Sequence, residues 1–124
     1  MKILVVDDEA DVKSLFQQRF RKEIRSGEID FDFALSGEEA LSYLVEHPEV
    51  ILILSDINMP GMSGIELLRK IRHAYNAPRP KVMMVTAYGD EENHRQAIEN
   101  GADDFLTKPL DFTLLKDKLK YFPA

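Results

Sequence analysis

The sequence predicts an α/β domain: a doubly wound, five-stranded parallel sheet with five helices, in flavodoxin-like order 2-1-3-4-5. Three observations carry that expectation. Short strand-like runs alternate five times with longer segments of helical periodicity. Three of the runs, ILVV, ILIL and VMMV, are apolar at every position, as strands covered on both faces must be. Right-handed crossovers then leave few other ways to join parallel strands. The 124 residues show no composition break, low-complexity run or linker, so a single domain over 1–124 is expected.

Each element has its own signal. The first strand is expected at 3–6, and a long first helix from about Asp11 leaves through the polar residues Arg25, Ser26, Gly27 and Glu28. The second strand, 31–35, alternates, with Phe31, Phe33 and Leu35 on one side and Asp32 on the other, which marks an edge strand. Ser36 followed by Glu39, and Ser63 followed by Glu66, have capping-box spacing and start helices near Gly37 and Gly64 on either side of a third strand at 51–55. Ile65, Leu67, Leu68 and Ile71 form the buried stripe of the second of these helices. After a strand at 82–86, a fourth helix is expected from Glu91 to Asn100, with Gly101 as its left-handed terminator. A fifth strand at 104–107 leads to a last helix marked by Leu110, Leu114, Leu115, Lys118 and Leu119 and ended by Pro123.

Composition excludes several kinds of chemistry. Without cysteine there is no disulfide, thiolate zinc site or thiol nucleophile. The longest apolar run, 50–54, is far shorter than the roughly 20 residues a membrane span needs. Met1 and Lys2 lead into only four apolar residues, which is no signal peptide, so a cytoplasmic protein without membrane attachment is expected. A formal charge of -6 gives no general pull toward nucleic acid, and no direct nucleic-acid binding by this domain is expected.

In open α/β sheets, ligands bind at the carboxyl ends of the strands. Asp7, Asp8 and Glu9 follow the first strand, Asp56 the third, and Lys108 and Pro109 the fifth, while Thr86 ends the fourth. Crowded carboxylates repel unless a proton or cation neutralises them, and Lys108 is the one cation the chain brings near. A hard divalent ion with oxygen ligands is the expected remedy, and magnesium suits such a set. A carboxylate beside magnesium can attack phosphorus, giving an aspartyl phosphate whose equatorial oxygens need a metal, a cation and a hydroxyl around them.

The residues that carry this chemistry lie in four segments: ILVVDDEAD (3–11), LSDINMPGMSGIELLRKIR (54–72), VTAYGD (85–90) and GADDFLTKPL (101–110). Their order and spacing resemble the receiver domain of two-component response regulators over essentially the whole chain. The resemblance implies that Asp56 is the phosphoacceptor, charged by a histidine kinase, a histidine phosphotransfer protein or a small donor. It implies magnesium held by Asp8, Asp56 and the backbone carbonyl of Asn58, with Asp7 acting through water. Lys108 would contact the phosphoryl group through an inward aim set by a cis bond to Pro109. Thr86 would swing toward the group, coupled to Phe105. Asn58 and Tyr88 would tune the rate at which water removes phosphate. Such a domain is not an enzyme in the ordinary sense but a phosphoacceptor that assists its own phosphorylation and dephosphorylation. It would switch the face made by the fourth helix, fifth strand and fifth helix toward an output partner or domain.

Other readings of these residues stand beside that one. Asp7 and Asp8 could cap the helix that follows, while Glu9 and Asp11 read as first-turn helix charges. Thr86 could simply finish a strand, and Lys108 could be a solvated turn lysine. Phe105 is equally an ordinary core residue, and without a hydroxyl any switching by it rests on packing. Met59, Met62, Met83 and Met84 read as packing residues, and His47, His73 and His94 as surface residues. A flavodoxin would be repelled by Asp7 and Asp8; G-x-G-x-x-G and G-x-x-x-x-G-K are both absent. A haloacid-dehalogenase-type phosphatase would place its nucleophile after the first strand. The last helix carries Lys116, Lys118 and Lys120 but no arginine, which weakens a dimerising transcription-factor reading; a free-standing regulator and a piece of a longer chain both remain open.

Overall fold

The structure is a computed structural model that describes residues 1–74, 80–87 and 89–121. Its elements run β1 (Lys2–Val6), α1 (Asp11–Arg19), α2 (Arg21–Arg25), β2 (Asp30–Ala34), α3 (Gly37–Glu46), β3 (Leu52–Asp56), α4 (Gly64–Ala74), β4 (Lys81–Ala87), α5 (Glu91–Glu99), β5 (Asp104–Lys108) and α6 (Phe112–Lys120). The five strands form one sheet in the order β2-β1-β3-β4-β5, and every pairing is parallel.

The apolar strands divide their side chains between two cores, as continuous hydrophobicity requires. Leu4, Val6, Ile53, Val82 and Met84 join Leu67, Leu68 and Ile71 of α4, Ala40 and Leu44 of α3, and Ala97 of α5 on one face. Ile3, Val5, Leu52, Leu54, Met83 and Val85 join Phe16 of α1, Phe20, and Leu115 and Leu119 of α6 on the other. β2 is the expected edge strand, with Phe31 and Phe33 packed on the second core. Leu35 departs from the predicted stripe: the strand ends at Ala34, and Leu35 is left half exposed.

Among the described residues the helix count also differs, six in place of five, because the first helix breaks at Phe20. Phe20 takes φ -109° and ψ 24°, outside helical values. The chain nevertheless stays wound, since Phe20 N–H donates to Phe16 carbonyl at 2.9 Å and Ile24 N–H to Phe20 carbonyl at 2.9 Å. Phe20 is fully buried, stacked on Phe16 with ring centroids 5.8 Å apart and edge-on to Phe31 and Phe112. Burying a second aromatic ring at that point offsets the interrupted helix.

The helix starts follow their caps. Ser36 Oγ accepts Glu39 N–H at 3.1 Å and Ser63 Oγ accepts Glu66 N–H at 3.1 Å. Glu39 closes its turn on Leu35 N–H rather than on Ser36, one residue earlier than a standard capping box. α5 stops at Glu99, and Gly101 turns the chain at φ 92°. Asp111, unnoticed in the sequence, caps α6 by accepting from Thr113 and Leu114. Leu110 precedes α6, and Leu114 is exposed rather than part of its buried stripe. Pro123, the expected end signal, lies outside the described residues, as does Tyr88.

Candidate functional site

Parallel strands deliver their C-terminal residues to one edge, and the register sets which of them meet. Asp56 closes β3 opposite Val85, Thr86 lies opposite Thr107, and Ala87 opposite Lys108. Asp7 follows β1, where its N–H is fixed by Ala34 carbonyl at 3.1 Å. The apolar strands are thus anchors, and their polar ends project past the two cores.

Asp56 is the buried carboxylate of this edge, only 3% exposed. Its Oδ2 accepts Lys108 Nζ at 2.8 Å, and its Oδ1 accepts Asn58 N–H at 3.2 Å. Carboxylate oxygens of Asp7, Asp8 and Asp56 lie within 4.8 Å of one another. Asp7 is half buried and Asp8 exposed. Burial pushes the Asp7 carboxyl above its ordinary range, and the Asp56 charge adds to that, against the pull of Glu9 N–H at 2.9 Å. Burial works to lower the Lys108 ammonium, but its hydrogen bond to Asp56 and the charges of Asp56, Asp7 and Glu9 outweigh burial and raise it. The Lys108–Pro109 peptide bond is cis.

Close backbone approach completes the site. A Cβ at Gly64 would overlap the Asp56 carbonyl oxygen and sit 2.7 Å from Ile57 Cα, so only glycine lets α4 begin where it does. Gly64 N–H donates to Ile57 carbonyl at 2.8 Å. Sequence spacing marked Gly64 as a helix start but held no sign of this contact.

The structure separates the expected residues into those it gathers and those it does not. Asp7, Asp8, Asp56 and Lys108 converge, and Asn58 lies beside Asp56 through its N–H. The helix-cap reading of the acidic pair has no hydrogen bond to support it, because α1 starts from Ala10 without a side-chain cap. Asp11 lies in the first turn of α1, whereas Glu9 precedes the helix. Thr86 is 3% exposed, and its hydroxyl donates to Ala87 carbonyl at 3.4 Å, a long bond. Phe105 is half buried against the first core, with the His94 ring edge-on at 4.1 Å. His94 is exposed as expected, yet it is a neighbour of Phe105 that no spacing rule marked. Met59, Met62, Met83 and Met84 are buried, as packing residues should be. Asn93, at the start of α5 and itself bonded to Asp90, reaches Asn58 across 35 residues of sequence, too far for any local pattern to show.

Residues 3–120 match the response regulator receiver domain family, and the chain belongs to that family. It is 41% identical to the transcriptional regulatory protein ResD of Bacillus subtilis over 87% of this chain and 42% of that protein. It is 32% identical to a chemotaxis protein CheY homolog of Campylobacter jejuni over 97% of this chain and 90% of that protein. Among solved structures, a response regulator receiver protein from Pseudomonas putida superposes with a TM-score of 0.83 at 30% identity, covering 96% of this chain and 94% of that one. The receiver domain complex of Ssk1 with the histidine phosphotransfer protein Ypd1, from Saccharomyces cerevisiae, matches at 0.84 and 25% identity, covering 97% and 86%. The chain spans less than half of ResD, and no described helix is long and apolar enough to cross a membrane.

Proposed function

We propose that Asp56 accepts a phosphoryl group in a magnesium-dependent reaction and that the modified domain switches a partner or an attached output domain. The observation that carries this reading is the setting of the Asp56 carboxylate: nearly inaccessible, paired to Lys108 at 2.8 Å, and within 4.8 Å of oxygens from Asp7 and Asp8. Three hard oxygen donors, one of them made unfavourable to ionise by burial and by its neighbour, fit a small divalent cation better than they fit bulk water. Asp8, Asp56 and the Asn58 carbonyl would hold the ion, with Asp7 acting through water. When bound, magnesium neutralises charge on the transferring phosphoryl oxygens.

The chain's own residues supply the rest. An Asp56 oxygen attacks phosphorus, a P–O bond forms, and the bond to the donor's leaving group breaks. Lys108 stays with the oxygen charge it already faces. Thr86, whose hydroxyl holds only a 3.4 Å bond to Ala87, is free to turn toward the phosphoryl oxygens. Phe105 would respond by packing alone, with His94 as the ring it must slide against. Asn58 would tune the approach of water, and Tyr88 is proposed for the same role on the resemblance alone. The donor would be a sensor histidine kinase or a histidine phosphotransfer protein, the kind of partner seen on the Ssk1 receiver domain. The α5, β5 and α6 face would carry the signal outward.

The test is an intact-mass measurement after incubation with a small acyl phosphate and magnesium. One phosphoryl group should add, and the adduct should be absent in Asp56→Asn or without magnesium. No adduct, or one that survives Asp56→Asn, overturns the reading.

A further inference from the structure

We propose that Asn93 is a positioning residue that latches the start of α5 to Asn58 in the resting domain, and that releasing this latch favours phosphoryl acceptance. The inference rests on the phosphoacceptor reading of Asp56 and deepens it. Asp90 caps α5, accepting Asn93 N–H on Oδ1 at 3.2 Å and Asn93 Nδ2 on Oδ2 at 2.7 Å. A carboxylate facing an amide this way accepts, which identifies the group toward Asp90 as the amino end of Asn93. The same amino group presents its second N–H to Asn58 Oδ1 at 3.4 Å. Asn58 N–H in turn donates to Asp56. A continuous path of amides therefore joins the reactive carboxylate to the cap of α5.

The two ends of α5 are held differently. Near its C-terminal end, Asn100 Oδ1 accepts Arg69 Nε at 3.2 Å, and Gly101 carbonyl accepts Arg72 from both Nε and a terminal nitrogen. Toward the N-terminal end, an open groove of about 370 Å³ lies between α5, α4 and the β3–α4 loop, with Asn58, Met59, Arg69, Asn93 and Gln96 along it. The long amide contact spans that gap where packing does not. It lies three residues past Asp90, whose N–H donates to Ala87 carbonyl at 3.1 Å, directly after Thr86. A turn of Thr86 toward Asp56 would move the segment that holds the latch. If the latch stabilises the resting arrangement, its loss enlarges the competent population and speeds acceptance in proportion. One weak hydrogen bond corresponds to roughly threefold.

The experiment follows phosphoryl uptake from a small acyl phosphate by intact mass in five proteins: the parent, Asn93→Ala, Asn93→Asp, Asn58→Ala and the Asn58→Ala/Asn93→Ala double variant. Asn93→Ala and Asn93→Asp should both take up phosphate roughly threefold faster than the parent, since a carboxylate has no N–H to offer Asn58. Asn93→Ala should add nothing in the Asn58→Ala background. A merely structural asparagine would slow uptake or act equally in both backgrounds, and either result overturns the latch, as do unchanged rates. The side-chain NH₂ resonance of Asn93 is a second readout that needs no phosphate: it should move in Asn58→Ala, and an unmoved signal overturns the latch. A parent that takes up no phosphate overturns the phosphoacceptor reading, and the resonance then decides the latch by itself.

Discussion

Asp56 shows how a buried carboxylate is kept in a fold: each of its oxygens has a donor, Lys108 on one and the Asn58 amide on the other. Among the described residues, its neighbours Asp7 and Asp8 hydrogen-bond to no cation, although the Lys108 charge reaches Asp7, and the acidic edge is left electrostatically unfinished. Asp8, the exposed member, is the test of that statement. Asp8→Ala should weaken magnesium binding by roughly tenfold or more in a calorimetric titration, at least the loss expected for disturbing a supporting group. Glu9→Ala should change it little, because Glu9 reaches the cluster through its backbone N–H to Asp7. Equal losses would mean that the metal is held elsewhere on the acidic run. Pairs such as Asp7 and Asp8 were legible in the sequence because they sit at a strand end; the amide path from Asn58 to Asn93 was not, because α4 and β4 lie between its two ends.

Among the elements, α4 is tied at its far end by the Arg72 side chain. Arg72 is 11% exposed and donates to Pro80 carbonyl at 2.9 Å, to Gly101 carbonyl, and to Asp103 Oδ2 at 2.6 Å, while the same Asp103 oxygen accepts Val82 N–H at 2.8 Å. A planar guanidinium can serve three acceptors at once, tying α4 to the start of β4 and to the turn before β5. Arg72→Ala should cost about 2–3 kcal/mol in urea unfolding, because Asp103 and two carbonyls lose a charged donor. Arg72→Lys should recover less than half of that loss, since an ammonium cannot reproduce the fork. A cost within ~0.5 kcal/mol, as for an ordinary surface site, would show that the turn is held by other means. The break between α1 and α2 belongs to the same scale: helical periodicity runs through Phe20, and only the competition of rings beneath the sheet interrupts it.

For the whole molecule, pH reports how the edge strand is fastened. Lys2 binds Asp30 at 2.9 Å and Asp32 at 2.8 Å, and the Tyr43 hydroxyl donates to Asp32. Burial resists ionisation of Asp32, but hydrogen bonds from Lys2 and Tyr43 outweigh it and hold the carboxyl below its ordinary range. That contribution to stability is present above the ordinary carboxylate pKa, about 4, and is lost as pH falls through the lowered value. Hydrogen bonds to Asp32 and Asp30 raise the Lys2 ammonium, and burial with the bond to Asp32 pushes the Tyr43 phenol from 10.0 up to about 12. Raised values give stability that is complete below the unfolded pKa and lost as pH climbs through the folded one. Asp7 works against Asp32, since its carboxyl is raised and costs stability as it ionises. Stability measured by urea against pH should therefore fall in acid and again between pH 10 and 12. Tyr43→Phe should flatten the alkaline loss, and Asp32→Asn the acid one; unchanged profiles would remove the cluster from the account. The lysines of α6 are also engaged within the domain, Lys116 with Glu23, Lys118 with Asp104 and Lys120 with Asp117, so that helix presents paired charge to any partner.

The sequence by itself determined the layer architecture, the strand order and the convergence of Asp7, Asp8, Asp56 and Lys108. Those follow from local pattern: apolar runs need two covered faces, parallel strands need crossovers, and residues just past parallel strands share an edge. Tertiary structure alone decided the break at Phe20, the exposure of Leu35 and Leu114, the glycine contact beneath Asp56, the Arg72 tie and the Asn58–Asn93 bond. Each depends on where two elements distant in sequence come to rest against each other, and periodicity within one element holds no information about that distance.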